Sequence, residues 1–523
     1  MPQKNKHIEI LDSTLRDGAQ GESISFSVGD KLSIAAELDR LGVEYIEAGN
    51  PSSNPKDIEF FEKAKTAPFF HKLVAFGSTR HKDCDCHADA AIASLIDAGT
   101  ECVSIFGKTA ASHVKDVLNV SLEENLEMIR QTCSFLHSAG KRVFFDAEHF
   151  FDGFLENPDY AMQCLGAAVH GGAEKLILCD TAGGNLPDVI GEICRKVCSV
   201  FPENVIGIHC HNDCSLAVAN SIAAVKNGIT HVQGTLLGIG ERCGNTSLSS
   251  LLPTLQIKLG YSVLENDSLS ILTPVARSVA ETCNTSIKRG EPYIGVSAFA
   301  HKAGMHVDAV LKRTDTFEHI APELVGNERR ILLSEIAGRS AILDKIQKIM
   351  PGVSRDSEET RAIIEKLKNR EHRGYQFEGA EASFELLVRR GMPDWKPFFE
   401  LVKYRVTSER PYEAGCSALA SVKVRVGDED VLRCAEGDGP VNALDKALRR
   451  SLEVFYPVLQ HMYLSDYKVR VMDAHEATAS MVRVLITSTD GERIWTTVGV
   501  SADIMEASFK ALCDSVEYKL IYS

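Results

Sequence analysis

The sequence predicts an α/β protein built from an N-terminal (β/α)8 TIM barrel, helical linker subdomains and a C-terminal α+β domain with an internal pseudo-repeat. Three observations predict it. The first ~260 residues alternate short apolar runs with helical patterns at a period of roughly 30 residues. Ionisable side chains crowd the C-terminal ends of those runs. A strand–turn–helix unit occurs twice in the last ~125 residues. On this reading residues 1–264 form the barrel, 265–395 the linker and 396–523 the C-terminal domain.

The barrel strands are expected at His7–Leu11, Val43–Glu47, Lys72–Phe76, Cys102–Phe106, Arg142–Asp146, Glu174–Cys179, Val205–His209 and His231–Leu236. Segments such as Lys31-Leu32-Ser33-Ile34-Ala35-Ala36-Glu37-Leu38 lie between them, with apolar residues at helical spacing and charges on the other face. A doubly wound open sheet shares this alternation, but about eight units of even length favour closure. In the linker, helices are expected at Leu269–Cys283, Leu332–Met350 and Ser357–Arg370. The repeat pairs the strand Ala418–Val426 and helix Val441–Val454 with the strands Met481–Ser488 and Trp495–Val498 and helix Ala502–Leu520.

Composition narrows the function classes. The 523 residues carry 57 Lys and Arg against 72 Asp and Glu, a net charge of -15, which argues against a nucleic-acid partner. No apolar run is long enough to span a membrane, and the start carries no apolar secretory segment, so neither membrane nor export is expected. The 15 cysteines follow no disulfide-framework spacing, which suits reduced thiols in a cytoplasm.

In a parallel barrel the catalytic groups sit at the strands' C-terminal ends. Those ends supply Asp12, Arg16 and Asp17 after strand one, Glu47 after strand two, and Asp146 and Glu148 at strand five. Asp180 and Thr181 follow strand six, His209 and His211 end strand seven, and Asn245 lies in a Gly-Asn-Thr turn after strand eight. Residues i and i+2 of a strand share a side, so His209 and His211 face one spot while Cys210 points away. Two histidines and a carboxylate, with Asp17 the best placed, make a divalent-cation site. Asn245 is either a further ligand through its carbonyl or a turn residue. Arg16 suits the clamping of an α-keto acid, or a salt bridge to Glu47 or Asp12. Thr181 is a candidate carboxylate donor or a structural threonine, and Glu148 a candidate base.

Other signals are weaker. His81, Cys84, Cys86 and His87 do not have a standard zinc spacing. Lys108 and Arg80 are either anion contacts or solvated cations, and Lys175 begins strand six, at the wrong end for a Schiff base. No complete Walker loop or Rossmann glycine pattern is present.

The runs Leu11-Asp12-Ser13-Thr14-Leu15-Arg16-Asp17-Gly18, His209-x-His211-Asn212-Asp213 and Gly238-x-Gly240-Glu241-Arg242-x-Gly244-Asn245-Thr246 together resemble the metal-dependent Claisen-condensing family of isopropylmalate, citramalate and homocitrate synthases, over nearly the whole chain. Further runs, among them Phe145-Asp146-Ala147-Glu148-His149-Phe150-Phe151-Asp152-Gly153 and Gly304-Met305-His306-Val307-Asp308-Ala309-Val310, are most similar to the long-form members that make (R)-citramalate.

The resemblance implies an acyltransferase joining acetyl-CoA, pyruvate and water into (R)-citramalate and CoA, with 2-oxoisovalerate or 2-oxoglutarate as the alternative keto acids. A lyase on the same barrel and a non-catalytic metabolite sensor are more distant alternatives. The family implies a metal (Mn²⁺, Mg²⁺ or Zn²⁺) on Asp17, His209, His211 and Asn245, a keto acid on Arg16 and Thr181, and catalysis by Arg16, Glu148, His306 and Asp308. It further implies a homodimer with a domain-swapped linker and a C-terminal domain that senses an amino acid, isoleucine for this branch. Phe317 stands where the family leads one to expect a tyrosine, which leaves Asp308 to orient His306.

Overall fold

The computed structural model describes residues 6–265, 267–302, 304–331, 339–352, 354, 357–377, 379–408, 418–472, 480–491 and 493–523. The chain divides into two compact units. The first runs to Phe299 and takes in Ile320–Arg329; the second comprises Ala300–His319 and Arg330–Ser523.

The first unit is a closed barrel of eight parallel strands in sequence order: β1 (Glu9–Asp12), β2 (Tyr45–Gly49), β3 (Leu73–Ser78), β4 (Cys102–Lys108), β5 (Arg142–Glu148), β6 (Lys175–Asp180), β7 (Val205–Cys210) and β8 (His231–Gly234). Closure is made by β1, which pairs with β2 at Leu11↔Tyr45 and with β8 at Glu9↔His231. All eight expected strands are present. The first starts at Glu9, because His7 makes only an isolated bridge to Ser262.

Each strand is followed by helix because the sequence caps and patterns it so. Helix Val28–Leu41 opens on a capping box between Ser27 and Asp30 and stops at Gly42, whose φ of 92° is costly for any side chain with a Cβ. Its buried face is Ile34, Ala35, Leu38 and Leu41, spaced as one helical stripe against the sheet. Cutting Leu38 to alanine removes a fully buried side chain, a loss of about 2–5 kcal/mol.

The barrel's N-terminal floor carries an ion cluster of its own. Lys175, at the start of β6, is fully buried; its Nζ meets Glu9 Oε2 at 2.5 Å and the Tyr45 hydroxyl at 3.2 Å. His231 Nδ1 lies 3.4 Å from the same Glu9 oxygen. Lys175 thus sits at the opposite end of its strand from Asp180.

The second unit begins with the short strand β9 (Ala300–His301), paired in parallel with β10 (Arg330–Ile331), and the helix Gly304–Lys312. Helices Arg339–Ile349, Glu358–His372 and Glu381–Arg389 share an apolar core that includes Ile346, Ile363, Leu367 and Phe384. The expected helix Leu332–Met350 is therefore seen from Arg339, and its residues 332–338 lie outside the described residues.

The C-terminal repeat is larger than the sequence reading. Each copy has three antiparallel strands and then a helix. The first is β11 (Glu400–Ser408), β12 (Ala418–Val426), β13 (Glu429–Gly437) and helix Pro440–Leu452. The second is β14 (Tyr463–Val471), β15 (Val482–Thr489), β16 (Ile494–Ser501) and helix Ile504–Ile521. In both copies the central strand pairs with both neighbours, and the two helices close one core around Val422, Leu448, Ile486 and Leu512.

Candidate active site at the barrel mouth

Asp17, His209 and His211 converge. One ligand atom from each lies within 4.8 Å of the others, and all three side chains are buried; this is the one such cluster among the described residues. His209 Nε2 is 3.6 Å from Asp17 Oδ2, too far for a hydrogen bond. Two ligand atoms each about 2.1 Å from a shared ion sit roughly 3–3.5 Å apart, so the spacing fits a cation between them.

Local chain geometry explains the convergence. β7 delivers both histidines on alternate residues, and their ring centroids lie 5.1 Å apart. Asp17 comes from the tight turn after β1, where the backbone N–H groups of Arg16 and Gly18 both bond Ser13 O. Asn245 closes the ring from the turn after β8, its Nδ2 donating to Asp17 Oδ1 at 2.8 Å and to Ile239 O at 3.1 Å. That turn depends on its glycines. Gly244 has φ 87°, and a Cβ there would collide with Gly238 O; a Cβ on Gly240 would strike the Asn245 amide.

The donor set meets a further test of fit. His211 Nδ1 and Asn245 Oδ1 are buried and have no hydrogen-bond partner among the described residues. Buried polar atoms are normally satisfied, and a divalent ion is one way to satisfy them. Burial pushes the His209 pKa down to about 4 and lowers that of His211, so both rings are neutral at neutral pH, the form that can bind a cation. Burial alone would raise the Asp17 carboxyl, but the Arg16 guanidinium beside it, with the hydrogen bond from Asn245, overrides this and holds it well below the usual carboxylate range.

Arg16 is fixed on three sides. Its Nη1 meets Asp17 Oδ2 at 2.7 Å, its Nη2 meets Glu47 Oε2 at 2.6 Å, and its guanidinium carbon stands 3.8 Å over the Phe76 ring. Of the two salt-bridge partners open from sequence, Glu47 is the one used. Asp12 instead takes the Thr14 N–H at 2.7 Å, and burial pushes its pKa up to about 7.

A cavity of about 230 Å³ opens over these groups, walled by Phe76, Phe106 and Cys179 and reached by Glu148 and Thr181. Phe76 and Phe106 stack with centroids 5.5 Å apart. Thr181 Oγ1 accepts the His149 N–H at 2.8 Å, which leaves its own hydroxyl proton to donate. His149 adopts a left-handed conformation, φ 57°, to make this bond. Glu148 is paired with Lys108, Oε2 to Nζ at 2.7 Å, so Lys108 belongs with the site and not with the solvated surface. Asp180 lies below, bonded by Asn185 at 2.8 Å and Asn220 at 3.3 Å.

Two of the expected residues lie outside the first unit. His306 and Asp308 belong to the second unit. There Asp308 turns to Lys312, Oδ2 to Nζ at 2.6 Å, while the His306 ring stacks on Phe317 with centroids 4.0 Å apart. His81 pairs with Asp89 at 2.9 Å, and the neighbouring cysteines form no ligand cluster with it. Arg80 is spent on Gln131 and Glu124. The residues that sequence reasoning missed are Phe76, Lys108 as the partner of Glu148, and Gln233, which receives His209 Nδ1. The detectable signal was that each points inward near a strand's mouth end.

The HMGL-like family model matches residues 7–314, the homocitrate synthase post-HMGL domain-like model residues 293–374, and the LeuA allosteric (dimerisation) domain residues 378–520. An (R)-citramalate synthase of Aquifex aeolicus is 49% identical over 516 residues, covering 98% of this chain and 98% of that protein. Those of Synechocystis sp. and Geobacter sulfurreducens are 47% and 48% identical, covering 99% and 98% of this chain and 97% of each relative. No helix among the described residues is long and apolar enough to cross a membrane. On a family match over more than half its length and on relatives of this identity and coverage, the chain belongs to the HMGL-like family and, within it, to the (R)-citramalate synthases, condensing enzymes of the acyltransferase class.

Proposed function

We propose that the protein condenses acetyl-CoA with pyruvate and water to give (R)-citramalate and CoA. The observation that carries this reading is the junction of the Asp17–His209–His211 cluster with the Arg16 guanidinium at one small, aromatic-walled cavity. A divalent cation (Mn²⁺, Mg²⁺ or Zn²⁺) held by those three residues, with Asn245 beside them, supplies Lewis acidity toward the oxygens of an α-keto acid.

Arg16 enters pre-oriented, because Glu47 and Phe76 hold its plane before substrate arrives. Its charge then opposes the negative charge that grows on the keto oxygen as the new carbon–carbon bond forms. Thr181 donates its free hydroxyl proton to the keto acid's carboxylate. Glu148, assisted by His306 from the neighbouring subunit and Asp308 beside it, takes a methyl proton from acetyl-CoA. The resulting carbon nucleophile attacks C2 of pyruvate, the alkoxide gains a proton, and water cleaves the thioester, releasing CoA and a carboxylate. Phe76 and Phe106 restrict the room for the keto acid's substituent, which suits a methyl group.

The same reading extends to assembly and control. The C-terminal repeat joins two chains into a homodimer with a domain-swapped linker and binds isoleucine, which lowers activity from a distance. The free thiols suit a cytoplasmic enzyme. The test is CoA release with pyruvate, 2-oxoisovalerate and 2-oxoglutarate in turn, with added Mn²⁺ or Mg²⁺. Pyruvate should give the highest kcat/KM. Preference for 2-oxoisovalerate would make it an isopropylmalate synthase, preference for 2-oxoglutarate a homocitrate synthase, and activity that survives chelation would point to a Schiff-base lyase.

A further inference from the structure

His209 carries a second bond on the side away from Asp17. Its Nδ1 lies 3.0 Å from Gln233 Oε1. Gln233 is fully buried and stands directly opposite His209 in the pairing of β7 with β8. At its other end Gln233 Nε2 donates to Asp146 Oδ1 at 3.3 Å, and Asp146 Oδ2 accepts from Ser104 Oγ at 2.9 Å. One chain of hydrogen bonds thus crosses the barrel interior from β7 through β8 and β5 to β4.

The direction of this chain matters for the ion. A neutral imidazole has one N–H and one lone pair, and which nitrogen holds the proton is set by its partner. An amide oxygen can only accept. Gln233 Oε1 therefore draws the proton to Nδ1 and leaves the lone pair of Nε2 toward Asp17. The Nε2–H bond to Asp146 Oδ1, whose other oxygen takes the Ser104 hydroxyl, favours this orientation of the amide. A flipped amide would present N–H groups to Nδ1 and force the proton onto Nε2, where it would block a cation. A glutamine suits this post because it is neutral and has distinct donor and acceptor ends, so it adds no charge beside the Asp17 carboxylate.

We propose that Gln233 is a positioning residue of the cation site: it fixes His209 as an Nε2 donor, and Asp146 with Ser104 fixes Gln233. This rests on reading Asp17, His209 and His211 as cation ligands. Partners of this kind typically alter metal affinity by roughly 10–100-fold when removed.

Two measurements test it on the full-length protein. In the metal-free wild type, nitrogen chemical shifts of labelled histidine should show His209 with its proton on Nδ1; a proton on Nε2 overturns the proposal. In calorimetry with Mn²⁺ alone, Gln233→Met should bind at least about tenfold more weakly than wild type. Binding by a folded Gln233→Met protein within twofold of wild type also overturns it. Should that variant fail to fold, the wild-type shifts still decide. A wild type that takes up no Mn²⁺ sinks the cation reading instead, and the tautomer measurement keeps the two failures apart.

Discussion

Arg16 and Glu47 meet twice at one atom: Nε and Nη2 of the guanidinium both lie 2.6 Å from Glu47 Oε2. That oxygen also takes the Ser13 hydroxyl at 2.5 Å, so a buried carboxylate ties the plane of Arg16 to the turn that carries Asp17. Glu47→Gln removes the charge and one acceptor. Hydrogen bonds to charged groups are worth about 1.5–3 kcal/mol, so kcat/KM for the keto acid should fall about ten- to a hundredfold. Steady-state kinetics check this, and an unchanged kcat/KM would show that Arg16 needs no such support.

Thr181 gives a narrower prediction. Because its oxygen is already an acceptor for His149 N–H, its hydroxyl proton has one direction left to go. Thr181→Val should raise the KM for the keto acid about tenfold with a smaller change in kcat, and Thr181→Ser should restore it. Equal KM values for valine and threonine would assign the residue a purely structural role.

Phe317 and His306 stack at 4.0 Å with an interplanar angle of 27°. Such a pair contributes about 0.5–1.5 kcal/mol, and Phe317 is 49% exposed, so its loss should not unfold the unit. Phe317→Leu should lower turnover about two- to tenfold while the melting temperature falls by no more than about 4 °C. A larger fall in melting temperature with unchanged turnover would mean that the ring serves packing instead.

Stability should depend on pH through buried histidines. Burial holds His231 and His209 down to about 4, whereas an unfolded histidine titrates near 6.5. Between those values the unfolded chain binds protons that the native chain does not, so stability rises with pH there and is lost on acidification toward pH 4. Thermal unfolding of chelated protein should show Tm falling by at least about 5 °C across this window, and His231→Gln should flatten the slope. A Tm that climbs on acidification would contradict the assignment of neutral buried rings.

The barrel was legible because its strands are buried on both faces and read as unbroken apolar runs, as Leu176-Ile177-Leu178 does in β6. The outer strands β11, β13 and β14 of the C-terminal repeat were not, although the outer strand β16 was. β14 is exposed along almost its whole length and mixes Lys468 and Arg470 with Val469 and Val471, so it has no buried face for a pattern to mark. His209 and His211 were legible from spacing within one strand. The partners of the site were not, because they meet through barrel register: Lys108 lies opposite Glu148 only once β4 pairs with β5, and Gln233 opposite His209 only once β7 pairs with β8. Phe76 under Arg16 is likewise a product of closure.

The most direct test of the account is the anomalous scattering of crystals soaked in Mn²⁺. The account predicts one strong peak within about 2.0–2.3 Å of Asp17 Oδ2, His209 Nε2 and a nitrogen of His211. A peak that touches none of the three, or no peak at all from a protein that still releases CoA, would contradict it.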